Sequence, residues 1–407
     1  DTALMGHLDN PTFLIATSIS ATVITLIFWS FGFLRMGTTG LIAQSLGKGE
    51  YREQPLIILR NLILAFIISL IIILLKPLIV TLINFFFHPS DQTLVLIDDY
   101  ISIRVFSAPS EFCLYILIGF YLGIQKTYIS SLITIMLSFL NIILSVYFVN
   151  ELQMNVKGVA FGSLISSYLV SIVFLIFTYF FIKNKFKVIP KLQKNILNAK
   201  KIIKLFSINL DIFIRTILLT FAFLWVTYLG STIGEQFIAI NSILLQFVII
   251  SSFFLDAYAF STEGIVGYNV GRRSEKSFIH VTRNAFELSF FTAILISIIF
   301  IFLSKNIINL ITDLDILRFL SYKYTFWVVI IPPIACFCYQ FDGIFIGATQ
   351  TKEMRNAMII SVAIYLILSI KLTNIFGNHG IWLSLLLFMV LRSLSLYIFF
   401  PKILRKF

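Results

Sequence analysis

Apolar residues run along this chain in blocks of helix length, separated by short polar breaks, and the blocks show no two-residue alternation. Residues 56–75 (LIILRNLILAFIISLIIILL) and 159–182 are representative. A bilayer admits only helices or closed barrels as spanning elements, and barrel strands alternate, so the pattern predicts a helical bundle. Spans are expected at about 13–42, 56–83, 96–123, 128–149, 158–182, 204–229, 235–268, 281–303, 318–347, 355–373 and 380–400, eleven in all. Several exceed the roughly 20 residues a bilayer core requires, so tilt, kinks or extension into water absorb the excess. Pro109 and the pair Pro332 and Pro333 lie inside such blocks and mark kinks.

Composition agrees with this reading. The chain is 59% hydrophobic, 16% aromatic and 12% charged, with mean hydropathy +0.97, whereas soluble domains carry about 25% charged residues. The class is an all-α integral membrane protein. Cys113, Cys336 and Cys338 all lie within spans, where they act as small apolar residues, and no disulfide framework follows. His7, His88, His280 and His379 sit in or near breaks without ligand spacing, so no metal site is expected from them.

The formal charge of +12 raises the question of nucleic acid, and the placement of the charge answers it. Of the 31 Lys and Arg, 21 collect in alternate breaks: 47–60, Lys126, 183–204, 272–283, 352–355 and 402–406. The intervening breaks hold seven, namely Lys76, Arg104, Lys157, Lys305, Arg318, Lys323 and Lys371, while Arg35, Arg215 and Arg392 lie within spans. This asymmetry follows the positive-inside rule and puts the basic breaks in the cytoplasm, together with both termini of the twelve-helix frame described below. The lysine-rich stretch 183–203 then reads as a cytoplasmic linker against anionic lipid, and no nucleic-acid partner is expected.

The chain also repeats itself. LIAQSLGKGE (41–50) returns as IVGYNVGRRS (265–274), and one offset of 224 joins Gly6 to Gly230, Gly47 to Gly271, Pro109 to Pro333 and Gly123 to Gly347. Two homologous halves are expected: an N-terminal lobe at 1–182, the linker at 183–203 and a C-terminal lobe at 204–407. Six spans per half give both halves one orientation, related by an axis along the membrane normal. Moved back by 224, the span 204–229 falls before residue 1. The frame therefore predicts twelve helices, six plus six, with the first largely outside this sequence.

DTALMGHL (1–8), GFLRMGTTGLIAQSLGKGE (32–50), NIILS with GVAFGSLIS (141–166), NLDIFIRT (209–216), FLDAYAFSTEGIVGYNVG (254–271) and DGIFIGATQTKEMR (342–355) resemble the MATE family. These are the multidrug and toxic compound extrusion transporters, and the closer resemblance is to the DinF-type branch. The likeness runs in order along the whole chain.

Ionisable side chains inside spans are costly and by default mark pathways or ion sites. Asp1, five residues before Gly6, reads on its own equally as a helix-end cap or a pathway carboxylate. The resemblance puts the family's N-lobe carboxylate there, where protonation or Na+ binding couples to helix bending and drug release. The family's Asn-x-x-x-Asp pattern stands here as Asn141 and Ser145, one helical turn apart, with serine in place of the second carboxylate. Ser163 matches a family hydroxyl position and Tyr100 is a further contributor, so the resemblance implies a possible Na+ position near Asp1 and Asn141. In the second half, Asp211 and Arg215 are spaced i, i+4 and are expected to pair, as a brace or as a substrate contact. Asp256 and Asp342 are candidate cation or substrate residues, and Asp342 holds the place of an acidic residue that related branches use for coupling. Asp256, Glu263 and Asp342 are each equally open to satisfaction by a neighbouring Tyr or Ser, and Glu263 and Glu111 rank behind the other two. Arg35 stands among Gly37, Thr38, Thr39 and Gly40, a small-residue packing stripe.

The implied function is a secondary antiporter, without cofactor, that exports amphipathic cationic organic compounds in exchange for H+ or Na+. It would rock two lobes around a central cavity, as a monomer in the bacterial inner membrane. The alternative is a flippase of a lipid-linked precursor, which requires several central basic residues for a pyrophosphate. An enzyme is disfavoured because the longer external breaks, near 84–99 and 304–317, hold no catalytic cluster.

Overall fold

A computed structural model describes residues 2–5, 11–186 and 198–407. Every regular element among the described residues is helical. Eleven helical runs are long and apolar enough to cross a bilayer: Pro11–Gly47, Tyr51–Leu74, Asp91–Gly123, Thr127–Glu151, Asn155–Lys185, Ala199–Ile233, Glu235–Arg272, Glu275–Ile311, Thr325–Gly347, Thr351–Phe376 and Asn378–Leu404. Large apolar side chains such as Phe253, Phe291 and Phe302 stay exposed on their outer faces, as lipid permits and water does not. Inside, serine and threonine hydroxyls donate back to the carbonyl one turn earlier, Ser69 to Ala65 at 2.7 Å and Thr38 to Leu34 at 2.6 Å.

Four predicted spans, 13–42, 56–83, 96–123 and 318–347, are each broken into two helices. The block 56–83 stops at Leu75, and a second helix, Lys76–Phe87, starts with Pro77 in its first turn, where the missing N–H costs nothing. The block 318–347 divides into Asp315–Tyr322 and Thr325–Gly347. The short Asp315–Tyr322 helix exposes Ile316 and Phe319. Arg318 ties it to the preceding turn by donating to the Thr312 carbonyl at 2.7 Å and to Asp313 at 2.9 Å. Pro109 opens the Ala108–Gly123 helix after a tight Val105–Ser107 turn, whereas Pro332 and Pro333 sit inside a continuous helix.

By contacts the chain forms two compact units. The first gathers the described residues of 1–38 and 49–205; the second comprises Thr39–Lys48 and Phe206–Phe407. Most of the expected linker 183–203 lies outside the described residues. Where the chain resumes, Lys201 donates to Glu53 at 2.6 Å, and Arg60 takes the other oxygen of Glu53 at 2.7 Å, within the first unit.

In the second unit the duplicated phrases meet. A Cβ on Gly47 would lie 2.1 Å from the Tyr268 carbonyl oxygen, and one on Gly271 would lie 2.3 Å from that of Gln44. Gln44 donates to the Gly347 carbonyl at 2.9 Å. The repeated glycines are therefore contact points where helix backbones cross with no room for a side chain. The offset of 224 reappears in the backbone. Gly49 (φ 72) pairs with Arg273 (φ 57), and Gln125 (φ 61) pairs with Thr349 (φ 49), all left-handed helix ends. The core of this unit packs Phe247, Tyr365, Trp382 and Phe388 together. Trp382 donates to Asn241 at 2.9 Å and Asn241 to Asn378 at 2.8 Å, a buried chain that joins two helices.

Candidate transport site

In the first unit, the helices Thr127–Val146 and Asn155–Phe186 pack as neighbours, and Asn141 donates to the Ser163 hydroxyl at 2.7 Å. Ser145 is buried one turn further along with no hydrogen-bond partner for its hydroxyl. It rests on Gly162, where a Cβ would lie 2.3 Å from the serine oxygen. The helices pack closely around Ser145, and Asn141, Ser145 and Ser163 supply neutral oxygens only. Tyr100 is buried and engaged on the Asp91–Arg104 helix. Asp1 lies outside the described residues. Arg35 is buried where its helix crosses Gly119, whose Cβ would meet the Arg35 carbonyl oxygen at 2.4 Å, which is small-residue packing.

In the second unit the expected Asp211 to Arg215 pair is replaced by two pairs between helices. Arg215 bonds to Asp342, and Asp211 accepts from Arg355 at 2.7 Å and from Thr351 at 3.0 Å. The i, i+4 spacing does put both groups on one helix face, but partners on neighbouring helices take both heads. Arg392 also donates to the same Asp342 oxygen, at 2.7 Å. The side chains of Arg215, Asp342 and Arg392 are 7%, 7% and 2% exposed. Two guanidinium groups thus share one buried carboxylate, Asp342. A coupling cation at Asp342 would have to displace an arginine. Asp256 is half-buried and Glu263 buried on the Glu235–Arg272 helix, and each is engaged by neighbours. Thr262, beside Glu263, donates to Gln340 at 3.0 Å.

The first unit also holds a pair that the charge census misassigned. Arg104, counted above with the polar breaks, sits inside the helical run Asp91–Gly123, with its guanidinium 3.5 Å from Glu111. The separation of seven residues, two turns on one face, is the signal that was available in the sequence. Cys113, Cys336 and Cys338 are buried free thiols, and among the described residues no three His, Cys, Asp or Glu side chains converge as a metal site would require.

A helical bundle of many spans with its charges paired in the interior defines a multi-pass integral membrane protein. The MatE family model matches residues 1–147 and 212–375. Among curated relatives, the chain is similar to the DNA damage-inducible protein F of Escherichia coli, 33% identical over 396 residues, 97% of this chain and 86% of that protein. It is 22% identical to the multidrug export protein MepA of Staphylococcus aureus over 94% of this chain and 84% of that one. Among solved structures, a mutant Vibrio cholerae MATE transporter matches with TM-score 0.86 at 17% identity, covering 99% of this chain and 91% of its own. A MOP superfamily transporter from Pyrococcus furiosus matches with TM-score 0.85 at 17% identity, over 98% and 89%. The chain belongs to the MATE family of multidrug efflux transporters.

Proposed function

We propose that this protein is a secondary antiporter of the bacterial inner membrane that exports amphipathic cationic organic compounds in exchange for H+ or Na+. The observation that carries this reading is family membership along almost the whole chain, which includes a protein named for multidrug export. The two homologous halves alternate access by rocking, as a monomer, with N- and C-termini in the cytoplasm. Coupling requires that drug and cation exclude one another, and a carboxylate does this because its protonated form no longer attracts a cationic drug. With Asp342 held by two arginines, the coupling carboxylate is assigned to Asp1, supported by the neutral oxygens of Asn141, Ser145 and Ser163. Tyr100 and Asp256 are assigned to drug contact, and Asp342 acts as counter-ion to Arg215 and Arg392.

One observation favours the lipid-flippase reading: two buried arginines, Arg215 and Arg392, converge on Asp342. It stands second because both arginines are already occupied by the carboxylate. The test is dye movement in everted vesicles under a proton or a sodium gradient imposed separately. Wild-type movement driven by one gradient and lost in Asp1→Asn is the expected result. A folded wild type that moves no dye under either gradient sinks the antiporter reading and favours flipping.

A further inference from the structure

Three helices of the second unit, Glu275–Ile311, Thr325–Gly347 and Asn378–Phe399, enclose an apolar groove of about 540 Å³. Thr325–Gly347 packs against both of the others and forms the floor with Ile334, Phe337 and Phe341, while Val390, Leu394 and Tyr397 form one wall. Each set spans two turns of helix, so the groove runs roughly 10 Å along the helix axes. Gly343 marks the opposite face of the floor helix, where its Cβ would meet the Ala259 carbonyl oxygen at 2.6 Å. The groove therefore looks away from that crowded crossing. Phe337, Leu394 and Tyr397 are exposed around it, as side chains that meet lipid are.

One end of the groove is basic. Phe341 meets Phe286, on the second wall, at 5.0 Å and Phe400 at 6.1 Å, and Phe278 meets Phe400 at 5.9 Å and Phe407 at 5.0 Å. This chain of rings ties the groove to the C-terminal segment, with Lys402, Arg405 and Lys406, and to the start of Glu275–Ile311, with Lys276 and Arg283. Against these cations stand Glu275, Glu287 and Glu353, so the end is basic on balance. Lys402 reaches Glu353 at 3.3 Å, and Lys406 donates to the Ala348 carbonyl at 2.6 Å. Arg283 lies one turn before Phe286 on the same helix face. Glu287 accepts from its Nε at 2.8 Å, and the Arg283 side chain remains 76% exposed.

This combination selects an occupant. No carboxylate lines the groove, so it offers nothing to the charge of a cationic drug. An acyl chain needs only the apolar wall, and a phosphate at its head meets Arg283 and the basic end. We infer that the groove and Arg283 form a binding site for an anionic phospholipid of the inner leaflet, one acyl chain lying along Phe337 and Phe341 and the phosphate held by Arg283. The leaflet follows from the positive-inside expectation, and the binding does not depend on the antiporter reading.

The test is native mass spectrometry of the purified full chain in detergent, titrated with dioleoylphosphatidylglycerol or dioleoylphosphatidylcholine, which share their chains and differ in headgroup charge. The wild type is expected to bind its first phosphatidylglycerol more tightly than its first phosphatidylcholine. Arg283→Gln weakens the phosphatidylglycerol by about fivefold, the worth of one cation at an anionic lipid surface, and leaves the phosphatidylcholine unchanged. Lys371→Gln, an exposed cation near the other end of the unit, changes neither. Ser393→Phe fills the groove that Ser393 lines and weakens both lipids alike. Because Arg283 is exposed, its variant folds and the decision does not rest on the groove-filling one. Equal affinity for the two lipids in the wild type, or wild-type phosphatidylglycerol binding in Arg283→Gln, overturns the site. A folded Ser393→Phe that keeps both lipids also overturns it, and loss of tetraphenylphosphonium binding in that variant would hand the groove to a drug instead.

Discussion

Asp342→Ala lowers the stability of the detergent-solubilised protein by about 3–5 kcal/mol, the cost of breaking a buried ion pair from one side. The carboxylate is the shared acceptor of Arg215 and Arg392, and all three side chains are less than a tenth exposed. Its removal strands two guanidinium groups, and Nε of each already lacks a partner. The same reasoning gives a second, opposite expectation. In the triple variant Asp342→Leu, Arg215→Leu, Arg392→Met no charge is left unpaired, and much of the lost stability returns. Thermal unfolding of the three proteins in one detergent checks both. A single variant as stable as the wild type would show that the arginines find water or another acceptor.

Gly271→Val has an effect of similar size by a different mechanism. The added Cβ would lie 2.3 Å from the Gln44 carbonyl oxygen, and the obstacle is backbone, which cannot rotate away as a side chain does. The crossing must open, at a cost of about 3 kcal/mol or more, the upper end of overpacking. Gly47→Val meets the Tyr268 carbonyl at 2.1 Å and is expected to behave alike. Gly49, two residues on, is the informative contrast. Nothing lies within 4 Å of its Cβ position, but its φ is 72°, so Gly49→Ala costs only the left-handed penalty of about 1–2 kcal/mol. Comparable losses in Gly49→Ala and Gly271→Val would contradict the crossing geometry. The basic, glycine-ended phrase is thus written twice for two reasons: close helix approach at Gly47 and Gly271, and a left-handed helix end at Gly49 and Arg273.

How much of this was legible differs between residues for physical reasons. The Asn141 to Ser163 contact joins two helices adjacent in the chain, so a short connection brings the two residues face to face. The partners of Asp211 and Arg215 were read wrongly because an i, i+4 spacing makes a pair available without making it the strongest one. Arg215 finds Asp342 across 127 residues, and Arg392 reaches it across 50. Arg104 was counted among the polar breaks although the expected span 96–123 contains it, and the glutamate two turns later on the same face is the signal that it belongs inside.

By itself the sequence determined what depends on order along one dimension: the membrane class, the eleven helical runs, the small-residue stripes and the repeat that names the crossing glycines. Apolar length and helical period act locally, since each helix satisfies its own backbone hydrogen bonds in the bilayer. Only the tertiary structure decided which carboxylate each buried arginine meets and where the blocks 56–83 and 318–347 break. Those outcomes are set by which helices touch. A buried charge takes the partner that packing brings nearest, and packing depends on faces far apart in the chain.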